Sequence, residues 1–349
     1  MRKAEDWEEL FAPSRREMRS ERKRASRKDR SKYKKTDQKK SPTQRAISSQ
    51  HQLGKVVRIR SKNIEVAIGK KIYTCSLRGV LKQERTKDKN IIIVGDNVWT
   101  FILDEISGVI QQVAPRTTVL CRQEHLHRKK QQLVAANVDQ VIITVSLAEP
   151  VCKTTIIDRY LIAAQKGNLS PLIVFNKLDL KKRYPKQASL VKEYQRLYSS
   201  LGIPSILISA KTGEGLELLK KALKEKTSVF SGQSGTGKSE IINALTGLSL
   251  KTQSVRAVGK GAHTTTFAQL LALPFGGWCV DTPGIRSFGI WDLEKNDLRN
   301  TFSEIFEQPC AFHNCWHIGE EGCKVPEAVE KGLISPFRLH SYLALFDSV

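Results

Sequence analysis

The stretch VFNKLDL at residues 174–180 comes before GQSGTGKS at residues 232–239, and that order decides the fold. GQSGTGKS fits the pattern G-x-x-x-x-G-K-[ST], set between the apolar pair Val229-Phe230 and a helix-like run, EIINALTG, that ends at Gly247. Gly232, Gly235 and Gly237 let backbone N–H groups turn inward around phosphates, with the N–H groups from Gln233, Ser234 and Thr236 to Glu240 lining the cradle. Lys238 supplies a charge to the outer phosphates, and Ser239 offers a hydroxyl to magnesium. In NKLD, Asn176, Lys177, Leu178 and Asp179 follow a strand-like run. Asp179 can accept hydrogen bonds from the N1–H and exocyclic amine of guanine. Adenine offers neither, so a wrong base leaves a buried carboxylate unpaired. Asn176 is read as the brace between loops and the Lys177 stem as a lid over the ring. Ser209, Ala210 and Lys211 form a second base loop, whose Ala210 N–H is expected to meet the guanine oxygen.

DTPG at 281–284 follows the apolar run WCV and matches the sensor D-x-x-G. Asp281 is expected to hold magnesium through water, and the Gly284 N–H to contact the γ-phosphate. Between cradle and sensor lies GKGAHTTT at 259–266, where Thr264 or Thr265 closes over magnesium as a switch residue. The bland reading of that stretch is a Gly/Thr surface loop. The parts therefore run base reader, second base loop, phosphate loop, first switch, second switch. Guanine-nucleotide proteins ordinarily begin at the phosphate loop. Because domain termini often lie close together, moving the chain start to the middle of the domain gives the present order without changing the fold. The domain is circularly permuted.

The surrounding sequence agrees with that layout. From 137 onward, strand-like runs (DQVIITVSL, PLIVFNKLD, PSILISAKTG, TSVFSGQ) alternate with helix-like ones (TTIIDRYLIAAQKG, ASLVKEYQRLYSSLG, LELLKKALKE), the rhythm of a parallel sheet flanked by helices. From 53 to about 121, five short strand-like runs separated by Gly, Lys, Asp and Asn predict a small barrel of OB type. Trp99, Tyr73 and Phe101 can stack on bases, but in a small barrel at least two of them are expected in the core. RQEHLHRKKQQ reads as a charged connector. Four domains follow: a basic tail at 1–50, the barrel at 51–122, the permuted domain at 123–290 and a terminal module at 291–349.

The chain of 349 residues carries 58 Lys and Arg against 35 Asp and Glu, a net +23 that favours a polyanionic partner. Residues 1–50 alone hold 17 basic and 8 acidic side chains, with few apolar ones to offset the entropy of ordering. That tail is read as disordered and as an arm for phosphate backbones. No apolar run approaches the ~20 residues of a spanning helix, and the charged N-terminus is not followed by a secretory apolar segment. A cytoplasmic protein is expected. Of seven cysteines, four stand apart as small buried hydrophobes. The others lie in CAFHNCWHIGEEGC, which reads C-x4-C-x-H-x5-C: Cys310, Cys315, His317 and Cys323. Three thiolates and one imidazole suit a structural tetrahedral zinc. His313 is a competing ligand. Downstream, Ser335 is placed as an N-cap, Pro336 at the first helical position, and Phe337, Leu343 and Phe346 as an apolar face packed on the metal module.

The order of motifs, the barrel before them and the cysteine cluster after them resemble the circularly permuted RsgA (YjeQ) family of small-ribosomal-subunit biogenesis GTPases. The likeness spans about 51–349 and rests on NKLD, GQSGTGKS, HTTT, DTPGIR and the cysteine-histidine pattern. The resemblance implies GTP hydrolysis stimulated by the small ribosomal subunit and a role in its late maturation. It also implies contact with rRNA, action as a monomer away from membranes, and His317 rather than His313 as the fourth zinc ligand. Ala262 stands where an Arg is usual before the histidine, so the contacts of that Arg are missing. Ile285 occupies the place after the sensor glycine where a Gln commonly orients water. An aliphatic group cannot do so, so slow intrinsic turnover is expected. His263 is the candidate catalytic residue, a reading the resemblance supports; the alternative is an exposed loop histidine. The chain runs from the sensor through RSFGIWDL into the cysteine module, which predicts a module orientation controlled by the γ-phosphate. Two other readings remain: an RNA-binding scaffold with a vestigial GTP site, and an ATP-using P-loop enzyme, which fails at Asp179.

Overall fold

The computed structural model describes residues 51–60, 63–78, 91–123, 131–247, 269–281 and 293–349, with backbone alone at 121–123, 131–132 and 281. The basic tail, His263, Thr264, Thr265, Gly284 and Ile285 lie outside the described residues.

Strand β1 (His51–Arg60) belongs to two cores. With β2 (Asn63–Ile68), β3 (Lys71–Leu77), β4 (Asn97–Ile102) and β5 (Ser107–Val113) it forms a closed five-stranded barrel. β1 pairs with both β2 and β4, while β3 runs parallel to β5. Val56, Ile64, Val66, Tyr73, Cys75, Val98 and Ile110 fill the interior. Trp99 and Phe101 depart from expectation. They alternate with fully buried Val98 and Thr100 and stand half-buried on the other face of β4, so of the three aromatics only Tyr73 joins the barrel core. Between Val56 and Arg58 the register of β1 shifts. Strand alternation sends two consecutive valines to opposite faces, both buried: Val56 in the barrel and Val57 in the core of the neighbouring α/β sheet. Arg58 then pairs with Gln269 on β12 (Gln269–Ala272), and its Nε donates to Gln269 Oε1 at 2.9 Å.

The α/β sheet is built from β8 (Gln140–Ser146), β9 (Ser170–Asn176), β10 (Ser205–Leu207), β11 (Thr227–Ser231), β12 and β13 (Trp278–Asp281). Their spatial order is β10-β9-β8-β11-β13-β12, parallel except for β12. β8 and β11 are buried at every position, as in strands covered on both faces. The cover includes helices α1 (Thr154–Lys166), α2 (Pro185–Ser200), α3 (Leu216–Leu223) and α4 (Lys238–Thr246). β11 has an earlier strand on one side and later strands on the other. The loop leaving it opens where strand order reverses, the place in such sheets where ligands collect.

The segment read as a connector carries strands at both ends, paired as a hairpin of β6 (Val119–Gln123) and β7 (Gln131–Ala136). The proposed boundary at 122/123 falls within β6. Beside it, fully buried Asp96 receives Arg116 Nε at 2.6 Å, Arg116 Nη2 at 2.9 Å and the Ile93 N–H at 2.8 Å. A buried carboxylate stripped of such a partner costs about 3–5 kcal/mol, so this pair fixes the way the chain leaves the barrel. Asn137 adds a brace, donating to Gly95 O at 2.9 Å and accepting the Thr117 N–H at 2.9 Å.

The terminal module contains α5 (Lys295–Thr301), α6 (Ser303–Phe306), α7 (Val325–Glu330) and α8 (Pro336–Phe346). Leu298, Phe302, Ile305, Val325, Tyr342 and Leu345 form its core together with Ile162 from α1. Ser335 caps α8, its Oγ accepting the Phe337 N–H at 3.3 Å. As expected, Leu343 and Phe346 pack against the module core, and the Phe346 ring meets that of Trp316 at 5.9 Å between centres. The deepest positions of α8 are Arg338, Ser341, Tyr342 and Leu345, because α8 also docks on α1. Phe337 packs edge-on against Tyr194 of α2 at 5.0 Å between ring centres. Among the described residues no helix is long and apolar enough to cross a membrane.

Candidate functional site

Three loops meet at the C-terminal ends of β9, β10 and β11, and Asn176 joins them. Its side chain is buried at the end of β9; Nδ2 donates to Thr236 O of the phosphate loop at 3.0 Å, and Oδ1 accepts the Ala210 N–H at 3.0 Å. The brace expected of Asn176 thus has a definite geometry. The Ala210 N–H, expected to meet the guanine oxygen, is directed at Asn176 Oδ1. Lys177 adopts a left-handed backbone with φ 67°, and its ammonium donates to Glu149 O. Leu178 opens a 3-10 turn, Leu178–Lys182, with its N–H on Ile208 O at 3.1 Å. Asp179 Oδ1 accepts the Ser209 hydroxyl at 2.7 Å. Carboxylates have about four acceptor directions, so Asp179 keeps capacity for two donors on a base edge. Lys211 is exposed.

The phosphate loop is shaped by close approach of its neighbours. At Gly232, with φ +142°, a Cβ would stand 2.1 Å from Thr144 O; at Gly237, with φ +90°, it would stand 2.3 Å from Asn176 Nδ2. These two positions require glycine for both backbone angle and space. Between them Gln233, Ser234 and Gly235 are exposed, and Thr236 is buried with its hydroxyl on Gln233 O at 3.0 Å. Lys238 Nζ donates to Gly232 O at 2.7 Å and Gln233 O at 2.8 Å, across the rim of the loop. Lys238, Ser239 and Glu240 begin α4, whose N-terminal end carries partial positive charge suited to an anion. Asp281 ends β13, and the pairing of Val229 with Val280 sets it beside the strand that feeds the loop. The backbone of Asp281 thus reaches the same end of the sheet as the phosphate loop.

Sequence reasoning missed the loop between β8 and α1. Glu149 O receives Lys177, the Glu149 carboxylate receives the Tyr184 hydroxyl, and Pro150 lies against Gly235. Its short segment LAEPVCK carries no recognisable motif.

In the terminal module, the ligand atoms of Cys310, Cys315, His317 and Cys323 all lie within 4.8 Å of one another. Cys310 Sγ stands 3.9 Å from Cys323 Sγ and 3.4 Å from His317 Nδ1, and Cys323 Sγ stands 3.6 Å from that nitrogen. A tetrahedral cation bonded at about 2.3 Å to sulfur and about 2.0 Å to nitrogen sets sulfur pairs about 3.8 Å apart and sulfur–nitrogen pairs about 3.5 Å apart. The cluster fits such a cation. His313 is exposed and outside the group. Glu320 supports the knuckle by accepting the N–H groups of Trp316 and Ile318, each at 2.7 Å, and the Phe306 ring meets His317 edge-on at 4.9 Å. In the protein without a cation, burial pushes the Cys315 thiol up to about 12 and raises Cys323, while burial lowers His317.

Comparison with known proteins agrees with this geometry. A family model described as RsgA GTPase matches residues 113–291. A Christiangramia forsetii protein named small ribosomal subunit biogenesis GTPase RsgA is 37% identical over 284 residues, covering 79% of this chain and 90% of that protein. A Thermotoga petrophila protein of the same name is 42% identical over 277 residues, covering 78% and 87%. The crystal structure of YjeQ from Thermotoga maritima superposes with a TM-score of 0.67 at 37% identity, covering 85% of this chain and 98% of that one. YloQ, described as a circularly permuted GTPase, gives a TM-score of 0.67 at 26% identity over 85% and 94% of the two chains. With base reader, phosphate loop and sensor strand arranged in permuted order on one sheet, the chain belongs to the RsgA GTPase family.

Proposed function

We propose that this GTPase works on the small ribosomal subunit in the cytoplasm, binding the subunit and its rRNA and assisting its late maturation. The observation that carries the nucleotide half of this reading is Asn176 bonded at once to the phosphate loop and the second base loop. The names of the relatives and the net charge of +23 support the ribosomal half. The GTP-binding set is Asn176 to Asp179, Ser209 to Lys211, Gly232 to Glu240 and Gly284. Asp179 selects guanine, and Lys238 with the inward N–H groups carries phosphate charge. Ser239, Asp281 and Thr264 or Thr265 would hold magnesium, which neutralises charge on the phosphates. His263 orients the attacking water, a task Ile285 cannot perform, so turnover is slow until the subunit completes the site. Four domains with limits at 1–50, 51–122, 123–290 and 291–349 divide the work. The protein acts as a monomer.

Zinc is the cation for the Cys310, Cys315, His317 and Cys323 cluster, on its three sulfurs, one nitrogen and spacing. With no position left for substrate water, it serves structure.

The first test is GTP turnover with and without small ribosomal subunits across a salt series. Strong stimulation that declines with salt is expected; tight GTP binding without stimulation at low salt would favour the RNA-binding scaffold. In that assay, His263→Ala should lower stimulated turnover by about 10²-fold or more. An equal loss of GTP affinity would remove the catalytic assignment. Asp179→Asn should weaken guanine nucleotides by about 10- to 100-fold and favour xanthine nucleotides. Unchanged guanine affinity in competition binding would reject the base reader. For the cysteine cluster, raised thiol values mean that Cys315 and Cys323 are protonated near neutral pH before a cation binds. Loading the stripped protein with zinc should therefore release protons, and apparent affinity should rise as pH rises. Calorimetry in buffers of different ionisation enthalpy reads this directly; pH-independent binding without proton release would contradict thiolate ligation.

A further inference from the structure

Helix α1 touches the nucleotide loops at one end and the terminal module along its flank. Its approach, residues 147–153, carries Glu149 O, which accepts Lys177 of the base reader, and Pro150, whose Cδ lies 3.5 Å from where a Cβ on Gly235 would stand. On the flank, Asp158 is fully buried, and its Oδ1 receives Arg338 Nη1 at 2.6 Å and the Tyr198 hydroxyl at 2.8 Å. Thr154 Oγ1 accepts the Ser341 hydroxyl at 2.9 Å.

Arg338 is as deeply placed, at 1% exposure. Its Nε meets Glu304 Oε1 at 2.6 Å, its Nη2 donates to Thr301 O at 2.7 Å, and the guanidinium lies 4.0 Å from the centre of the Phe302 ring. Burial opposes its charge, yet Asp158 and Glu304 hold its pKa above the ordinary value. A buried ion pair is a poor device for stability, since apolar side chains of similar volume often serve as well or better. What it provides is a seat with two discrete outcomes. Either the guanidinium sits between Asp158 and Glu304, or charges are left buried without partners. Packed interfaces of this kind switch rather than deform.

We propose that α1 relays nucleotide occupancy to the terminal module, with Asp158 and Arg338 as positioning residues that seat the module on the helix behind the phosphate loop. A nucleotide in the pocket fixes Lys177 and Gly235, and through them the 147–153 approach and the first turns of α1. By linkage, a seated module pre-organises the pocket in return. This route is separate from the chain connection that leaves the γ-phosphate sensor, and it rests on the nucleotide reading proposed above.

GDP distinguishes the two routes, because it lacks the γ-phosphate that the sensor would contact. Hydrogen exchange of the α8 amides is measured in the full chain with and without saturating GDP, and calorimetry on the same samples reads binding. In the unaltered chain GDP should slow α8 exchange by about fivefold or more, and in Ser341→Ala and Arg338→Met by less than about twofold with GDP still bound. Ser341→Ala removes a single hydroxyl and keeps the comparison valid if Arg338→Met fails to fold. GDP binding with unchanged α8 exchange in the unaltered chain would overturn the relay, as would equal protection in Ser341→Ala. Absence of GDP binding would instead overturn the nucleotide reading on which the relay depends.

Discussion

The functional half of the molecule depends on the buried amide of Asn176. One side chain supplies a donor to the phosphate loop and an acceptor to the second base loop, so three segments far apart in sequence hold a single relative position. A buried amide that loses either partner bears the desolvation of the orphaned group, about 1–3 kcal/mol, which makes the arrangement close to all-or-none. Gly237 belongs to the same constraint, since its missing Cβ is the space that the Asn176 nitrogen occupies. Permutation leaves this node intact because the node is made in space, between strands that stay neighbours wherever the chain begins.

The terminal module and the barrel are attached to the α/β sheet by different physics. The module is seated by charge: Arg338 between Asp158 and Glu304, with Ile162 of α1 in the apolar cluster beside them. The barrel is joined through backbone and packing. β1 carries its pairing from the barrel to β12, and Lys55 Nζ donates to Thr227 Oγ1 of β11 at 2.9 Å. Burial lowers the Lys55 pKa, with Asp139 opposing that shift.

Local chemistry was legible in the sequence. NKLD, GQSGTGKS and the C-x4-C-x-H-x5-C run each need particular residue types at short spacing, and the order of the first two revealed the permutation. The barrel strands and the alternation after 137 were legible because burial imposes period 2 on strands and about 3.6 on helices. Contacts between distant residues were not. Arg338 in PFRLHSYLALF and Asp158 in TTIIDRYLIAA each look like the polar break of an amphipathic helix, and only their meeting across 180 positions makes them interior. The same dependence on distant partners put Arg338 and Ser341, which the apolar face of Phe337, Leu343 and Phe346 did not suggest, among the deepest positions of α8. Trp99 and Phe101 were misplaced because strand alternation tells which residues share a face without telling which face is inside. The charged connector hid β6 and β7, since its charges draw the eye away from the alternating ends.

The pairing of β1 with β12 also bears on solubility. β12 is the last strand of the α/β sheet, and without β1 its outer row of backbone donors and acceptors would be open to any extended chain in solution. The barrel has no such edge, because β1 and β4 close it. Joining a closed barrel to an open sheet at Arg58 and Gln269 thus sets a folded domain beside β12 at that end of the sheet. A folded neighbour at that place leaves less room for an extended chain to add to the sheet.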